Sequence, residues 1–273
     1  MSWSIMKRVK LDIGKGIADA VECIKSTYKP LMVLLLITLA IQIIQGIYYQ
    51  PSSVDFNLAL SDPEAYRAQV ASMPKLTGLQ TLISYGFTLI GFLIMTIVIS
   101  VSNKFFSKSE MTIEDIIYYS LKKMFTILVS FLFMMLTFIP LIIIMGIIVF
   151  LSVMVSPILL ILVLVFGIGL FVYINMCIMI QYSIVMEDLG PIKGWLNSIK
   201  LVSHNFFRVF FTYVGFMLLS FLLRSLFLTD SIISVVITGI LSGTISMFLT
   251  VTMTAIYNQA IEKEPVTVDY RDA

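Results

Sequence analysis

The sequence predicts an all-α polytopic membrane protein: six transmembrane helices in three pseudo-repeats, each preceded by a cytoplasmic amphipathic helix. Three observations carry this. Of 273 residues, 59% are hydrophobic and only 12% are charged, about half the charge of a soluble domain. Long stretches lack Asp, Glu, Lys, Arg and His altogether. The 18 Lys and Arg residues gather in alternate connecting segments. A mean hydropathy of +1.01 excludes an ordinary globular enzyme, a disordered chain and a nucleic-acid binder with a basic face.

The spans follow from length. A hydrocarbon core of about 30 Å takes about 20 apolar helical residues. Residues 30–54 and 76–103 carry no Asp, Glu, Lys, Arg or His and give the first two spans, about 30–50 and 77–102. Residues 124–186 form an uninterrupted apolar stretch that as a single helix would reach about 95 Å, so they are expected to fold back as 124–152 and 157–186. Ser156-Pro157 marks the turn, because proline cannot continue the helix before it. Pro140 is expected to kink the third span. Arg208 and Arg224 can snorkel at the ends of a short apolar run, extending the fifth span to 206–227. The sixth span is 231–258. All 273 residues then make one membrane domain.

Charge sets the orientation. Of the 18 Lys and Arg residues, 15 lie in the N-terminus, the 103–123 and 187–208 linkers and the C-terminus. Only Arg67, Lys75 and Arg224 lie on the other side. That asymmetry places both termini in the cytoplasm of an inner membrane. No secretory signal is expected, because the first 30 residues are basic without a long apolar run. Ser61-Asp62-Pro63-Glu64 in the outer loop reads as a capping box opening a short helix.

The inner linkers share a pattern. Apolar residues recur at three- and four-residue steps: Ile13, Ile17, Val21, Ile24 and Tyr28; then Ile113, Ile116, Ile117, Leu121 and Met124; then Ile192, Trp195, Leu196, Ile199 and Val202. Their polar faces carry Lys15, Asp19 and Glu22; Glu114, Asp115 and Lys122; and Lys193, Asn197 and Lys200. This period suits helices lying in the headgroup layer, with Trp195 as an interfacial anchor. The pseudo-repeats span 10–105, 110–187 and 188–262.

Candidate chemistry is sparse. Cys23 and Cys177 lie in unlike segments, so no disulfide is expected. A single histidine, His204, gives no His-rich metal site, and no phosphate-cradling glycine loop occurs. Neither cofactor, metal nor nucleic acid is expected. Trp195, Lys200, His204, Asn205 and Arg208 cluster where the third amphipathic helix meets span five. They read either as a lipid-headgroup or partner contact or as an interfacial polar turn. Glu187 and Asp188 lie at the start of that helix and suit its dipole. Arg224 and Asp230 flank the outer turn between the last two spans as an ion pair. Gln42, Gln45, Tyr85, Asn175 and Gln181 are the polar residues at membrane depth. Ser234, Thr238, Ser242, Ser246, Thr250 and Thr254 step by four along span six beside Gly239 and Gly243. They read as a helix-packing seam or as a polar path for a small solute.

Residues 187–210 run Glu-Asp-Leu-Gly-Pro-Ile-Lys-Gly-Trp-Leu-Asn-Ser-Ile-Lys-Leu-Val-Ser-His-Asn-Phe-Phe-Arg-Val-Phe. The stretch resembles the signature of a bacterial family of six-span proteins. That family comprises the YciC-like inner-membrane proteins and the membrane domain attached to some glycerophosphodiester phosphodiesterases. Ser198, Lys200, Leu201, Asn205, Phe207 and Arg208 carry the match, and Thr254-Ala255-Ile256-Tyr257-Asn258 resembles the place where members have a Tyr-rich exit. The resemblance implies a membrane domain without the catalytic barrel. The expected role is non-enzymatic: helping in envelope maintenance or membrane transport, with membrane lipids and a cytoplasmic protein at the amphipathic helices as partners. The rival roles are a permease subunit of an ATPase-driven transporter and an immunity or resistance protein against a membrane-active peptide.

Overall fold

A computed structural model describes residues 11–48, 62–72, 78–154, 160–226 and 232–262. Among these residues the chain is helical throughout. The helices are α1 (Ile13–Ser26), α2 (Tyr28–Tyr48), α3 (Pro63–Ser72), α4 (Gly78–Ser107), α5 (Ile113–Met154), α6 (Leu160–Met176), α7 (Ile180–Met186), α8 (Pro191–Ser225) and α9 (Ile232–Glu262). Five stretches are each long and apolar enough to cross a membrane: Gln80–Ser107, Ile113–Phe150, Ile161–Met186, Pro191–Leu223 and Val236–Ile261. Counting the bent pair of α1 and α2 as one span makes six.

Local sequence explains the boundaries. Asp12 caps α1, its Oδ1 accepting from Lys15 N at 3.0 Å. The helix stops at Thr27, whose hydroxyl donates to Cys23 O at 2.6 Å, and α2 leaves at 92°. Asp62 caps α3: its Oδ1 accepts from Ala65 N at 3.0 Å, and Pro63 takes the first helical position; Ser61 of the expected capping box lies outside the described residues. Thr112 and Asp115 form a reciprocal capping box at α5, with Asp115 N donating to Thr112 Oγ1 at 3.2 Å and Thr112 N to Asp115 Oδ2 at 2.9 Å. α4 ends in a Schellman turn with Lys108 in the left-handed region at φ 52. There Ser109 N reaches Lys104 O at 3.2 Å and Lys108 N reaches Phe105 O at 3.4 Å.

The three amphipathic segments join their spans differently. The first turns through a right angle. The second continues without a break into a 42-residue helix that carries on through Pro140. At about 1.5 Å per residue that helix is roughly 63 Å long, so one end projects beyond any hydrocarbon layer. The third merges with its span across Asn205, the one residue inside α8 with non-helical angles (φ −127, ψ 24). The expected single helix over 157–186 is broken. α6 stops at Met176, and Cys177–Met179 form a tight turn in which Cys177 N donates to Ile174 O at 3.0 Å and Ile180 N to Cys177 O at 3.1 Å. The Ser156-Pro157 turn and Asp230 of the expected Arg224–Asp230 pair lie outside the described residues, as do the side chains of Gln45 and Arg224.

Packing is centred on α9. In its most apolar stretch 39% of residues are buried, against 11–17% in the other four single spans. It touches α1, α2, α4, α7 and α8. Gly239 and Gly243 let α2 approach: a Cβ on Gly239 would lie 3.1 Å from Gln42 Oε1, and one on Gly243 3.3 Å from Leu35 Cδ1. The largest buried side chains, Tyr182 and Tyr257 among them, sit toward the charged ends of the helices. Farther along, α5 and α6 expose most of their large apolar residues, such as Ile142, Phe150 and Leu164. Outward-facing bulk of this kind suits a lipid solvent, in which apolar surface gains little by hiding.

Each amphipathic segment turns inward a face other than its large apolar stripe, and in α1 that face consists of small residues. α1 buries Gly16, Ala20 and Cys23 while Ile17 and Val21 face out. α5 buries Ile116, Ser120 and Lys123 while Ile113, Ile117 and Leu121 face out. α8 buries Gly194, Ser198 and Val202 while Ile192 and Leu196 face out.

Candidate functional site

Two features stand out once the helices are placed: a polar clamp at the charged end and a cavity among the spans.

The clamp gathers residues distant in sequence. Tyr257 of α9 is fully buried, and its hydroxyl donates to Glu187 Oε1. Asn197 Nδ2 donates to Glu187 Oε1 at 2.7 Å and to the Tyr257 oxygen at 2.8 Å. Ser183 Oγ lies 2.9 Å from the same phenol. Tyr257 has one proton, and the carboxylate takes it, so Ser183 serves as donor. Next to this, Lys123 pairs with Asp188 and lies 5.6 Å above the Tyr119 ring, while Tyr119 OH donates to Val185 O at 2.8 Å. The hydrogen bond from Lys123 holds the Asp188 carboxyl below the usual carboxylate range, and the charges of Lys123 and Lys122 add to it. Asp188 tolerates φ 54, as short polar residues do. Ser198 Oγ donates to Met176 O at 2.7 Å and Ser130 Oγ to Pro191 O at 3.0 Å. The carboxylates expected to serve only the helix dipole instead tie α5, α7, α8 and α9 together.

The cavity, about 380 Å³, lies beside the break in the fourth span. It is lined by Met95, Phe131, Met134, Cys177, Gln181, Tyr213, Phe216, Met217, Ser242, Ser246 and Thr250, among others. Gln181 is 5% exposed, and its Oε1 is buried with no hydrogen-bond partner. Asn175, one turn before the break, returns its Nδ2 to Phe171 O at 2.7 Å.

The expected contact cluster divides. Lys200 and His204 are exposed. His204 Nδ1 lies 2.9 Å from Lys200 O, and since a carbonyl only accepts, that nitrogen carries the proton. Arg208 is half-buried. Asn205 is buried at the α8 kink, where its Oδ1 accepts from Leu11 N at 3.3 Å. Trp195 is half-buried against the core, its indole Nε1 enclosed next to Cys177 and Tyr173.

The hydroxyl stripe of α9 divides as well. Thr238, Thr250 and Thr254 each donate to the carbonyl four residues back, at 2.7–2.9 Å. Ser234 is buried. Ser242 reaches Gln42 Oε1 of α2 at 3.2 Å. Ser242, Ser246 and Thr250 line the cavity. Tyr85 is exposed. Missed in the sequence were Lys123, Tyr119 and Gln259. Lys123 alone left a trace, falling in step with the buried Ile116, Ser120, Ile127 and Ser130.

This architecture defines a polytopic helical membrane protein. Comparisons with protein-family models, curated proteins and solved structures returned no match, so the family resemblance rests on residues 187–210 and 254–258 alone.

Proposed function

We propose that this chain is a non-enzymatic integral protein of a bacterial inner membrane, with its charged end in the cytoplasm. Its role is to help in envelope maintenance or membrane transport through lipid or partner contacts. One observation carries the reading. Along one turn after another of α8, exposed basic side chains alternate with exposed apolar bulk: Lys193 and Lys200, with the His204 imidazole, beside Ile192, Leu196 and Phe207. A helix surface of that kind holds its stems in an apolar layer and its heads in phosphate or on an acidic partner. A photo-crosslinking amino acid at Leu196 or Lys200 in growing cells tests it. Adducts with anionic phospholipid or with one protein are expected, and a background pattern at both positions overturns the reading.

A broken span beside a partly polar cavity favours a second reading, a permease subunit, because transporters bind solutes at interrupted helices. An ATPase recovered on the Lys200 crosslink would select it. Orientation has its own test. Cysteines placed at 62–72 should react with an impermeant reagent from outside, and those at Lys108 or Lys200 should not. Cys23 and Cys177 are buried and leave the background low. The opposite labelling inverts the topology.

A further inference from the structure

We propose that the cavity beside the 177–179 break holds one uncharged amphiphile, an apolar chain whose single hydroxyl hydrogen-bonds the Gln181 amide. The walls select the class. Met95, Phe131, Met134, Phe216 and Met217 supply apolar, partly adaptable surface. Among the described residues no charged side chain lines the cavity, so an ionic headgroup would enter at a heavy desolvation cost. Its volume of about 380 Å³ falls within the range of small-molecule sites.

Gln181 marks the polar end. It lines the cavity, is 95% buried and has its Oε1 without a partner, and an orphaned buried acceptor is costly. Neighbouring hydroxyls do not relieve it. Ser242 spends its proton on Gln42 or Gly239 and Thr250 on Ser246 O. A ligand hydroxyl both donates and accepts, so it satisfies the amide in either orientation. An ether or a hydrocarbon does not. Ile174 and Met217, both well exposed, line the cavity, so a chain can enter from the side.

The inference rests on the membrane-helper reading only in placing the bundle in lipid. The experiment uses the full chain in detergent with Trp3 replaced by Phe, leaving Trp195 as the sole tryptophan, beside Cys177 at the cavity wall. The probes are a bromine-terminated undecanol and the matching bromoundecane. The alcohol should quench Trp195 saturably, with an apparent affinity on the order of tenfold above the alkane. Gln181→Leu should remove that preference and leave the alkane unchanged. Ser246→Leu should weaken both. Quenching that rises linearly with either probe, or equal affinities in the unmodified cavity, overturns the proposal even if Gln181→Leu fails to fold. Such a failure leaves the α8 crosslinking result standing, so the two readings fall separately.

Discussion

Gln259, near the end of α9, grips the backbone of Asp12 with both halves of its amide: Nε2 donates to Asp12 O at 3.1 Å, and Oε1 accepts from Asp12 N at 3.0 Å. The amide thus pairs with a backbone the way a neighbouring strand would. With Asn205 holding Leu11 N, it fastens the first helix to the last across nearly the whole sequence. Gln259→Leu removes both bonds while keeping similar bulk. We expect a loss of about 1–3 kcal/mol and earlier proteolysis before Ser26 in detergent. An unchanged melting temperature together with an unchanged digestion pattern would dismiss the latch.

Lys123 and Asp188 form an unequal pair, the lysine side chain 8% exposed and the aspartate 77%. Asp188→Asn leaves a buried cation without its anion. The cost should fall below the roughly 3–5 kcal/mol typical of breaking a fully buried pair, because water screens the aspartate. Lys123→Met should be near neutral or stabilising. The sign of the pH effect follows from the lowered carboxyl pKa. The stabilisation is fully present above the unfolded value near 3.9 and is lost as pH falls through the folded value. Melting temperatures from pH 7 down to 3 should therefore drop more steeply for the native chain than for Asp188→Asn; parallel curves refute the pairing.

Two glycines of α8 make an internal contrast. A Cβ on Gly194 would run into Ile184 Cγ1, whereas one on Gly215 meets nothing within 4 Å. Gly194→Ala should cost about 1–3 kcal/mol by overpacking. Gly215→Ala should gain up to about 1 kcal/mol from helix propensity. Thermal melts of both variants decide it, and the same sign for both would contradict the packing of α7 against α8.

Lys108 holds a left-handed conformation at the end of α4, a position glycine fills without strain. Lys108→Gly should raise stability by about 1 kcal/mol, and Lys108→Val should lower it. Equal melting temperatures for the two would mean the Schellman turn is absent.

The sequence made the spans legible because lipid imposes a length and a polarity on each one. It made the start of α3 legible, because short polar residues precede it. There the Asp62 carboxylate reaches Ala65 N. The amphipathic faces were harder. Ile17 and Val21 were visible as a stripe, yet Gly16, Ala20 and Cys23 are the buried residues, Gly16 lying against Ile256 of α9. In water the large apolar side would turn inward; beside lipid it has no reason to, and small residues win because they allow close approach. Nothing along the chain pairs Tyr257, Asn197 and Glu187, which meet only when α7, α8 and α9 pack.

By itself, then, the sequence determined an all-helical membrane protein, the approximate limits of its long apolar helices and the clustering of charge in alternate segments. Each is a property of consecutive residues meeting one solvent. Tertiary structure decided which faces turn inward, that the fourth span breaks at Cys177, that Gln181 is left unpaired beside a cavity, and that α1 is bound to α9. Those outcomes depend on shape and hydrogen bonding between helices remote in sequence, and hydropathy carries no record of them.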